Sequence, residues 1–376
     1  MDEHPVVIFA GGGTGGHLYP ALAIAEALRL RQPKVRVVFM GATRGIEARV
    51  LPELGEQHFL FPVRGLDRAI HTRSWRVVPA FAGSLLQAAK VMRKLSPSAV
   101  LITGGYACAP AGVVAALTGI PLLIQEQNAV PGIVTRFLSR FAKEIHTAFE
   151  EASGGLPRSV QSRVCLSGNP VRVKSDQDRS VLRKSFKLPE DSTVVLIAGG
   201  SQGSRALNKL ILDGLRGVAT RHLDRPENLH VLWSTGPKHY EDVKSALEEF
   251  GSPDWVHASP YFDKMPDVLA TVDLTVSRAG AMFTAELLNQ GLPAILIPLP
   301  DAAADHQTHN ARALAKAGAA VLAPEIRLTG EILWTQLIEL ARDPDSLGRM
   351  AVAADSLAYP ESANQIAASL ERLLPS

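Results

Sequence analysis

The sequence is short of cysteine, of aromatic residues and of net charge. Its 376 residues include only two cysteines, Cys108 and Cys165. Two cysteines in so long a chain make no disulfide framework, which points to a reducing compartment. Neither belongs to a CxxC or Cys/His cluster, so no zinc site is expected. Aromatics are 6% of the chain. With 39 basic against 37 acidic residues the formal charge is +2. That is too little for a polybasic nucleic-acid binder, and no nucleic-acid partner is expected, although a local basic face remains open. The opening MDEHPVVIFAGGG has no basic n-region and only a short apolar run, and it is not expected to act as a signal peptide. Residues 95–125 carry no charge and are long enough to cross a bilayer. However, Pro97, Pro110, Pro121, Gly104-Gly105, Gly112 and Gly119 cut them into strand, loop, helix and strand. A buried βαβ unit is the expectation there.

What is present is a globular composition, 46% hydrophobic and 20% charged, with 30 glycines and 25 prolines for tight turns. The length suits two domains of about 150–190 residues. One motif occurs twice: VVIFAGG at 6–12 and VVLIAGG at 194–200, 188 residues apart. Each is an apolar run that ends in a Gly-rich turn and then a helical pattern. Further apolar runs follow in both halves: VRVVFMG (35–41), AVLIT (99–103), PLLIQ (121–125) and EIHTAF (144–149), then HVLWSTG (230–236), VHASPYF (256–262), LTVSRAG (274–280), AILIPLP (294–300) and AAVLAP (319–324). Helical patterns separate them, among them SLLQAAKVMRKL (84–95). Short buried strands alternating with helices predict an α/β fold: parallel sheets with helices on both faces. The polar stretch SGNPVRVKSDQDRS (167–180) marks the seam. The expected domains are 1–169 and 170–357, with an amphipathic helix near 358–376 packing back on the first. Ligands of such sheets bind at the carboxyl ends of the strands, so two facing sheets are expected to share one cleft.

Several strand-end segments carry chemistry. Gly11-Gly12-Gly13-Thr14-Gly15-Gly16-His17 follows a strand and opens a helix, the context for holding phosphate on backbone N–H groups. Gly11, Gly13 and Gly16 fit G-x-G-x-x-G, but the next strand ends VVFMGAT with no acid for a ribose. His17-Leu18 also stands where a P-loop needs Lys-Ser/Thr. A dinucleotide site and a P-loop are both disfavoured, and a tight packing turn is the bland alternative. His17, on the first helical turn, is a candidate general base; a capping or surface histidine is the alternative. Gly199-Gly200-Ser201-Gln202-Gly203-Ser204 could hold a second phosphate. In Ser277-Arg278-Ala279-Gly280-Ala281-Met282-Phe283-Thr284-Ala285-Glu286, small residues at a helix start let an anion approach, and Glu286 could bind a ribose diol. Asp305-His306-Gln307-Thr308-His309-Asn310 suits sugar hydroxyls better than a metal, since no third strong ligand or Asp-x-Asp accompanies it. Thr103-Gly104-Gly105-Tyr106 and Gln125-Glu126-Gln127-Asn128 also follow predicted strands. Residues 64–94 concentrate Arg64, Arg68, Arg73, Arg76, Lys90, Arg93 and Lys94 against Asp67, interleaved with Trp75, Val77, Val78, Phe81, Leu85 and Leu86. This is either a face for anionic lipid or a solvated helix over core residues.

In their order, GGGTGGHLYPALAIAEAL, TGGYACAPAG, QEQNAVPG, SGNPVR, GGSQGSRALN, SRAGAMFTAE and HQTHNA resemble the bacterial MurG-type N-acetylglucosaminyltransferases over roughly residues 5–320. The resemblance implies the GT-B architecture, two Rossmann-like domains, and no cofactor. It implies inverting transfer of N-acetylglucosamine from UDP-GlcNAc to the 4-hydroxyl of the muramyl sugar of lipid I, giving lipid II at the inner face of the cytoplasmic membrane. Gly13, Thr14, Gly15, Gly16 and His17, with Gly104 and Tyr106, would face the acceptor and its diphosphate, Thr14 as a catalytic residue beside His17, while Tyr106 and Asn128 would line the sugar side, Asn128 as a donor contact. Arg172, Ser201 and the backbone at Ala281, Met282 and Phe283 would hold the donor diphosphate. Phe262 would meet the uracil through its backbone, Glu286 the ribose, and Gln307 and Asn310 the sugar. The chain departs from the pattern at Ala279 and Phe283, where hydroxyl side chains are usual, and at His306, where a second glutamine can stand. His17 is the first choice of base and Glu126 the alternative. A UDP-GlcNAc 2-epimerase is the competing reading.

Overall fold

The computed structural model describes residues 4–63, 77–171, 174–302 and 305–375, with backbone alone for 77–80. The chain forms two compact units, residues 1–171 with 359–376, and residues 172–358.

The first unit runs β1 (Val6–Ala10), α1 (Gly15–Arg31), β2 (Arg36–Ala42), α2 (Glu47–Glu53), β3 (His58–Phe61), α3 (Val77–Leu95), β4 (Ala99–Ile102), α4 (Ala109–Thr118), β5 (Leu122–Glu126), α5 (Ile133–Leu138), β6 (Glu144–Thr147), α6 (Glu151–Gly154) and β7 (Val164–Leu166). Among the described residues these strands make one parallel sheet in the order β3-β2-β1-β4-β5-β6-β7. β1 is wholly buried, as expected of a strand covered by helices on both faces. Val6, Ile8 and Ala10 join the core on one face, and Val7 and Phe9 join that on the other.

The second unit runs α7 (Arg179–Ser185), β8 (Thr193–Ala198), α8 (Arg205–Ala219), β9 (Leu229–Ser234), α9 (Tyr240–Glu249), β10 (Val256–Ser259), α10 (Met265–Leu269), β11 (Leu274–Ser277), α11 (Ala281–Gln290), β12 (Ala294–Leu296), α12 (His306–Lys316), β13 (Ala320–Leu322), α13 (Gly330–Ala341) and α14 (Pro344–Ser356). Its parallel sheet has the order β10-β9-β8-β11-β12-β13. Both sheets therefore start in the middle, grow to one edge, then return and grow to the other. The chain reverses direction between β1 and β4 in one unit, and between β8 and β11 in the other. At such a point the two strand-end loops diverge and leave a crevice.

The central strands fall on the expected apolar runs, with ends set by local chemistry. AILIPLP yields only Ala294–Leu296, because Pro298 and Pro300 have no N–H for a ladder. VHASPYF stops at Ser259, before Pro260. The three-residue β7 and four-residue β3 lie at the sheet edges and had no counterpart among the expected strands.

The last helix, α15 (Ser362–Glu371), belongs to the first unit. Its Ile366, Ala367 and Leu370 are buried with Leu18, Ala21, Ile24, Ala25 and Leu28 of α1. Burial of Ile366 and Leu370 stabilises by roughly 1.5–3 kcal/mol each. Glu371 adds contacts at the rim, to Arg31 at 2.6 Å and to the Gln32 amide at 2.6 Å. Arg372 reaches Glu144 of β6 at 2.8 Å.

Beside that contact lies His146 of β6, 3% exposed, with Nδ1 2.7 Å from Ser167 Oγ and Nε2 3.5 Å from Glu144. Burial pushes its pKa from 6.5 down to about 4, Glu144 opposing and Arg372 assisting. The folded chain thus keeps His146 neutral, while the unfolded chain protonates near 6.5. Stability is then full above 6.5 and lost as pH falls towards 4, by up to about 3 kcal/mol. Denaturation midpoints measured from pH 7 to pH 4 should fall, and less steeply for His146→Gln. Equal slopes for both proteins would refute this account.

Candidate active site

In the first unit, the crevice between β1 and β4 is spanned by a side-chain network. His17, on the first turn of α1, sets Nδ1 3.0 Å from the Thr103 carbonyl and 2.9 Å from Gln127 Oε1. Thr103 returns a bond from its hydroxyl to the His17 carbonyl at 2.6 Å. The Gln127 amide donates to the Thr103 carbonyl at 2.6 Å and to Gln125 Oε1. Gln125 in turn donates to Asn169 Oδ1 at 2.9 Å. Both neighbours of His17 Nδ1 are carbonyl oxygens, so Nδ1 carries the proton and Nε2 keeps its lone pair. A base needs this tautomer. Gly104 and Gly105 bring the backbone against the ring: a Cβ would lie 3.1 Å from His17 Nδ1 at the first and 2.9 Å from Cδ2 at the second. At Gly105, with φ +74°, it would also overlap the Gly12 carbonyl.

The remaining acceptor-loop residues cluster here. Thr14 is the N-cap position of α1, exposed and without a side-chain capping bond. Gly15 and Gly16 open the helix, where the first N–H groups have no partner within the helix. The Tyr106 ring packs on Gly13, 2.8 Å from where a Cβ would stand. Burial, then the nearby Glu47 charge, raises the Tyr106 pKa. One expectation changes: the Gly13 N–H does not face a ligand but donates to Glu47 at 2.8 Å.

Glu126 also differs from expectation. It is 3% exposed, and its oxygens accept from the Asn128 backbone N–H at 3.2 Å, the Asn128 side chain at 3.3 Å and the Gly132 N–H at 3.1 Å. The carboxylate holds the 127–132 loop and with it Asn128, which lies in the first unit. A buried acid engaged in this way is poorly placed to take a proton from a substrate.

In the second unit the matching crevice is spanned by Arg278, just past β11 and 7% exposed. Its Nη2 donates to Ser204 Oγ at 2.8 Å and its Nη1 to the carbonyls of Ile297 and Pro298, both at 3.2 Å. Glu325 Oε2 lies 2.5 Å from Nη1, an ion pair set off the N–H direction. Ser204 is itself the N-cap of α8, accepting from the Leu207 N–H at 3.3 Å. One guanidinium thus joins the ends of β8, β11 and β12. Ser201 is exposed at the tip of the first of these loops. α11 begins at Gly280 with no side-chain cap, Ala281 buried and Met282 and Phe283 half-buried. The Thr284 hydroxyl bonds back to the Gly280 carbonyl at 3.1 Å, so it does not replace the hydroxyls absent at Ala279 and Phe283. Glu286 is half-buried on the second turn.

The expected sugar contacts divide. Gln307 is half-buried, and its carbonyl accepts from the Leu299 N–H at 3.0 Å, fixing the loop after β12. Asn310 is fully buried and donates to the Ala279 carbonyl at 3.2 Å. It braces α12 against the start of α11, which corrects its expected place in an open sugar site. The Phe262 ring stacks edge-on against Phe186 at 6.2 Å. Arg172 lies outside the described residues, as do Arg64, Asp67, Arg68, Arg73, Trp75 and Arg76, and nothing is described of the side chains of Val77 and Val78. Of the described basic segment, Lys90, Arg93 and Lys94 are exposed beside Leu86 at 75%, whereas Phe81 and Leu85 pack on the core. Among the described residues no three His, Cys, Asp or Glu side chains gather as a metal site, His306 and His309 included.

Sequence reasoning passed over Glu47 and assigned no role to Arg278 or Gln127. Arg278 stood inside a recognised motif. For Glu47 the available signal was an acid preceded by Gly41 and Gly45 in MGATRGIEA.

The glycosyltransferase family 28 N-terminal domain matches residues 7–147, and the family 28 C-terminal domain matches residues 194–366. A protein of Desulforamulus reducens named UDP-N-acetylglucosamine–N-acetylmuramyl-(pentapeptide) pyrophosphoryl-undecaprenol N-acetylglucosamine transferase is 38% identical, over 98% of each chain. One of the same name from Salinibacter ruber is 40% identical, over 96% of this chain and 95% of that one. The crystal structure of Acinetobacter baumannii MurG superposes with a TM-score of 0.76 at 29% identity, over 98% of this chain and 99% of that one. Two parallel sheets of one strand order, each with its strand-end glycine loops, and full-length identity of this degree lead to one conclusion: the chain belongs to glycosyltransferase family 28, among the MurG-type N-acetylglucosaminyltransferases.

Proposed function

We infer that the chain transfers N-acetylglucosamine from UDP-GlcNAc to the 4-hydroxyl of the muramyl sugar of an undecaprenyl-pyrophosphoryl acceptor, with inversion. The observation that carries this is full-length identity of 38–40% to relatives bearing that activity in their names. The crystal structure of the Neisseria meningitidis UDP-GlcNAc 2-epimerase is 15% identical to the chain, a likeness that shows the fold alone.

In the proposed mechanism His17 Nε2 takes the proton of the acceptor hydroxyl as its oxygen bonds to the anomeric carbon. The bond from that carbon to the diphosphate oxygen breaks, and UDP leaves with the electron pair. The transition state resembles an oxocarbenium ion. Charge growing on the diphosphate meets the N-terminal end of α11, the Ser201 loop and Arg172. Glu286 holds the ribose and Gln307 the sugar, while Asn310 supports them from behind. Glu126 acts through the loop that carries Asn128, and is not retained as the base.

Incubation with UDP-GlcNAc and a lipid I analogue should release UDP and form the disaccharide. UDP released without acceptor, together with N-acetylmannosamine, would instead establish the epimerase. His17→Ala should lower kcat by about 10²–10⁴-fold with UDP-GlcNAc affinity little changed; near wild-type turnover would remove His17 as base. In calorimetry, Glu286→Ala and Arg278→Met should each raise the Kd for UDP-GlcNAc by roughly tenfold, about 1.4 kcal/mol. Unchanged affinity in both would sink the donor assignments.

The chain is also proposed to associate peripherally with the anionic cytoplasmic face of the plasma membrane through residues 64–94. Among the described residues no helix is long and apolar enough to cross a membrane. The described part of that segment exposes Lys90, Arg93 and Lys94, each worth about 1 kcal/mol near an anionic surface. Sedimentation with phosphatidylglycerol vesicles should exceed that with phosphatidylcholine, and a Lys90/Arg93/Lys94→Ala variant should narrow the difference. Equal binding to both lipids would refute the proposal.

A further inference from the structure

We propose that Glu47 is a positioning residue for the acceptor loop: its buried carboxylate sets the backbone around Gly13 and, through it, the place of His17. The proposal rests on the reading that the first unit handles the acceptor.

Glu47, the first residue of α2, is 0% exposed. Its Oε2 accepts from the Gly13 N–H at 2.8 Å, and its Oε1 from the Ala42 N–H at 2.7 Å. The carboxylate therefore ties the loop after β1 to the end of β2. Gly12, Gly41 and Gly45 surround it: a Cβ at any of the three would overlap the Glu47 side chain. Three residues lack side chains where this one must fit. A buried carboxylate is unfavourable unless it is fully hydrogen-bonded, and among the described residues no Lys, Arg or His pairs with it. A turn needed only for packing would be served as well by an apolar residue.

The loop it holds needs holding. Gly12 and Gly13 have φ of +148° and +84°, and Gly13 is pressed between Glu47 and the Tyr106 ring. Thr14, the next residue, stands at the N-cap position of α1, and its carbonyl accepts from the His17 N–H at 3.2 Å. An error at Gly13 therefore passes through one residue to the helix turn that carries the base. The carboxylate also takes the N–H that a glycine loop of this kind would offer to an anion. Glu47 stands in for the phosphate, and the first anion-facing groups of the loop begin at Thr14.

Glu47→Gln keeps the shape but turns an amide NH₂ towards one of the two N–H groups, releasing one of the tied loops. With the full chain, a lipid I analogue and UDP-GlcNAc, the acceptor KM should rise and kcat fall, each by roughly tenfold. The donor Kd by calorimetry should stay within about twofold. A smaller folded fraction would lower apparent kcat but leave KM unchanged, so KM separates positioning from plain stability. Gly45→Ala, which keeps the acid but crowds its carboxylate, should act in the same direction and serves if Glu47→Gln does not fold. Wild-type acceptor KM in the folded variants, or donor Kd rising in step with KM, would overturn the proposal. A wild-type chain that transfers no sugar would remove the functional reading itself, and this inference with it.

Discussion

Everything functional in this chain hangs on how a parallel sheet ends where its strand order reverses. Two neighbouring strands send their loops in opposite directions, and the crevice left between them exposes backbone groups that the ladder no longer pairs. Such a crevice is open to a ligand, but it is also weak unless something spans it. In both units a side chain does. His17, with Thr103 and Gln127, closes the gap between β1 and β4; Arg278, with Ser204, closes that between β8 and β11. The loops are held by the same groups that line the opening, which favours a preset geometry of the kind that catalysis by positioning requires.

The strand order is common to both units, but the buried charge beside the crevice has opposite sign. The first unit buries the carboxylate of Glu47 against its glycine loop; the second buries the guanidinium of Arg278 against its own. In the first the carboxylate occupies the Gly13 N–H, so that loop offers an anion fewer groups, whereas the guanidinium favours an anion near the second, even with Glu325 offsetting part of its charge. This asymmetry supports the proposed place of the donor diphosphate in the second unit, although VVIFAGG and VVLIAGG look interchangeable.

Legibility from sequence followed distance along the chain. Central strands showed as apolar runs, because both of their faces are buried. Prolines marked where β10 and β12 stop. The edge strands β3 and β7 are too short to produce a pattern. Glycine loops were legible as positions, but not as contacts. The partners that give them meaning lie 34 residues apart for Gly13 and Glu47, and 74 for Ser204 and Arg278. No local periodicity encodes such pairs. The same limit explains Asn310. Residue type and spacing suited a sugar hydroxyl, but burial decides whether an amide faces solvent or a carbonyl, and burial depends on how α12 meets α11.

Gln127 shows how far one amide can bear on the chemistry. It lies two residues past Gln125 and one past Glu126, and its two ends do different things. The NH₂ end is committed to the Thr103 carbonyl and Gln125. That leaves only the oxygen to face His17 Nδ1. Were the amide reversed, an N–H would point at the ring and compete with the Thr103 carbonyl for Nδ1, and an imidazole that accepted it there would carry its proton on Nε2. The lone pair would then face the protein and the proton would face the substrate, the wrong arrangement for a base. The orientation of the amide is anchored by Gln125, which is itself held by Asn169 in the segment that ends the first unit. The place of the proton on the His17 ring thus depends on a run of amide hydrogen bonds through the end of β5.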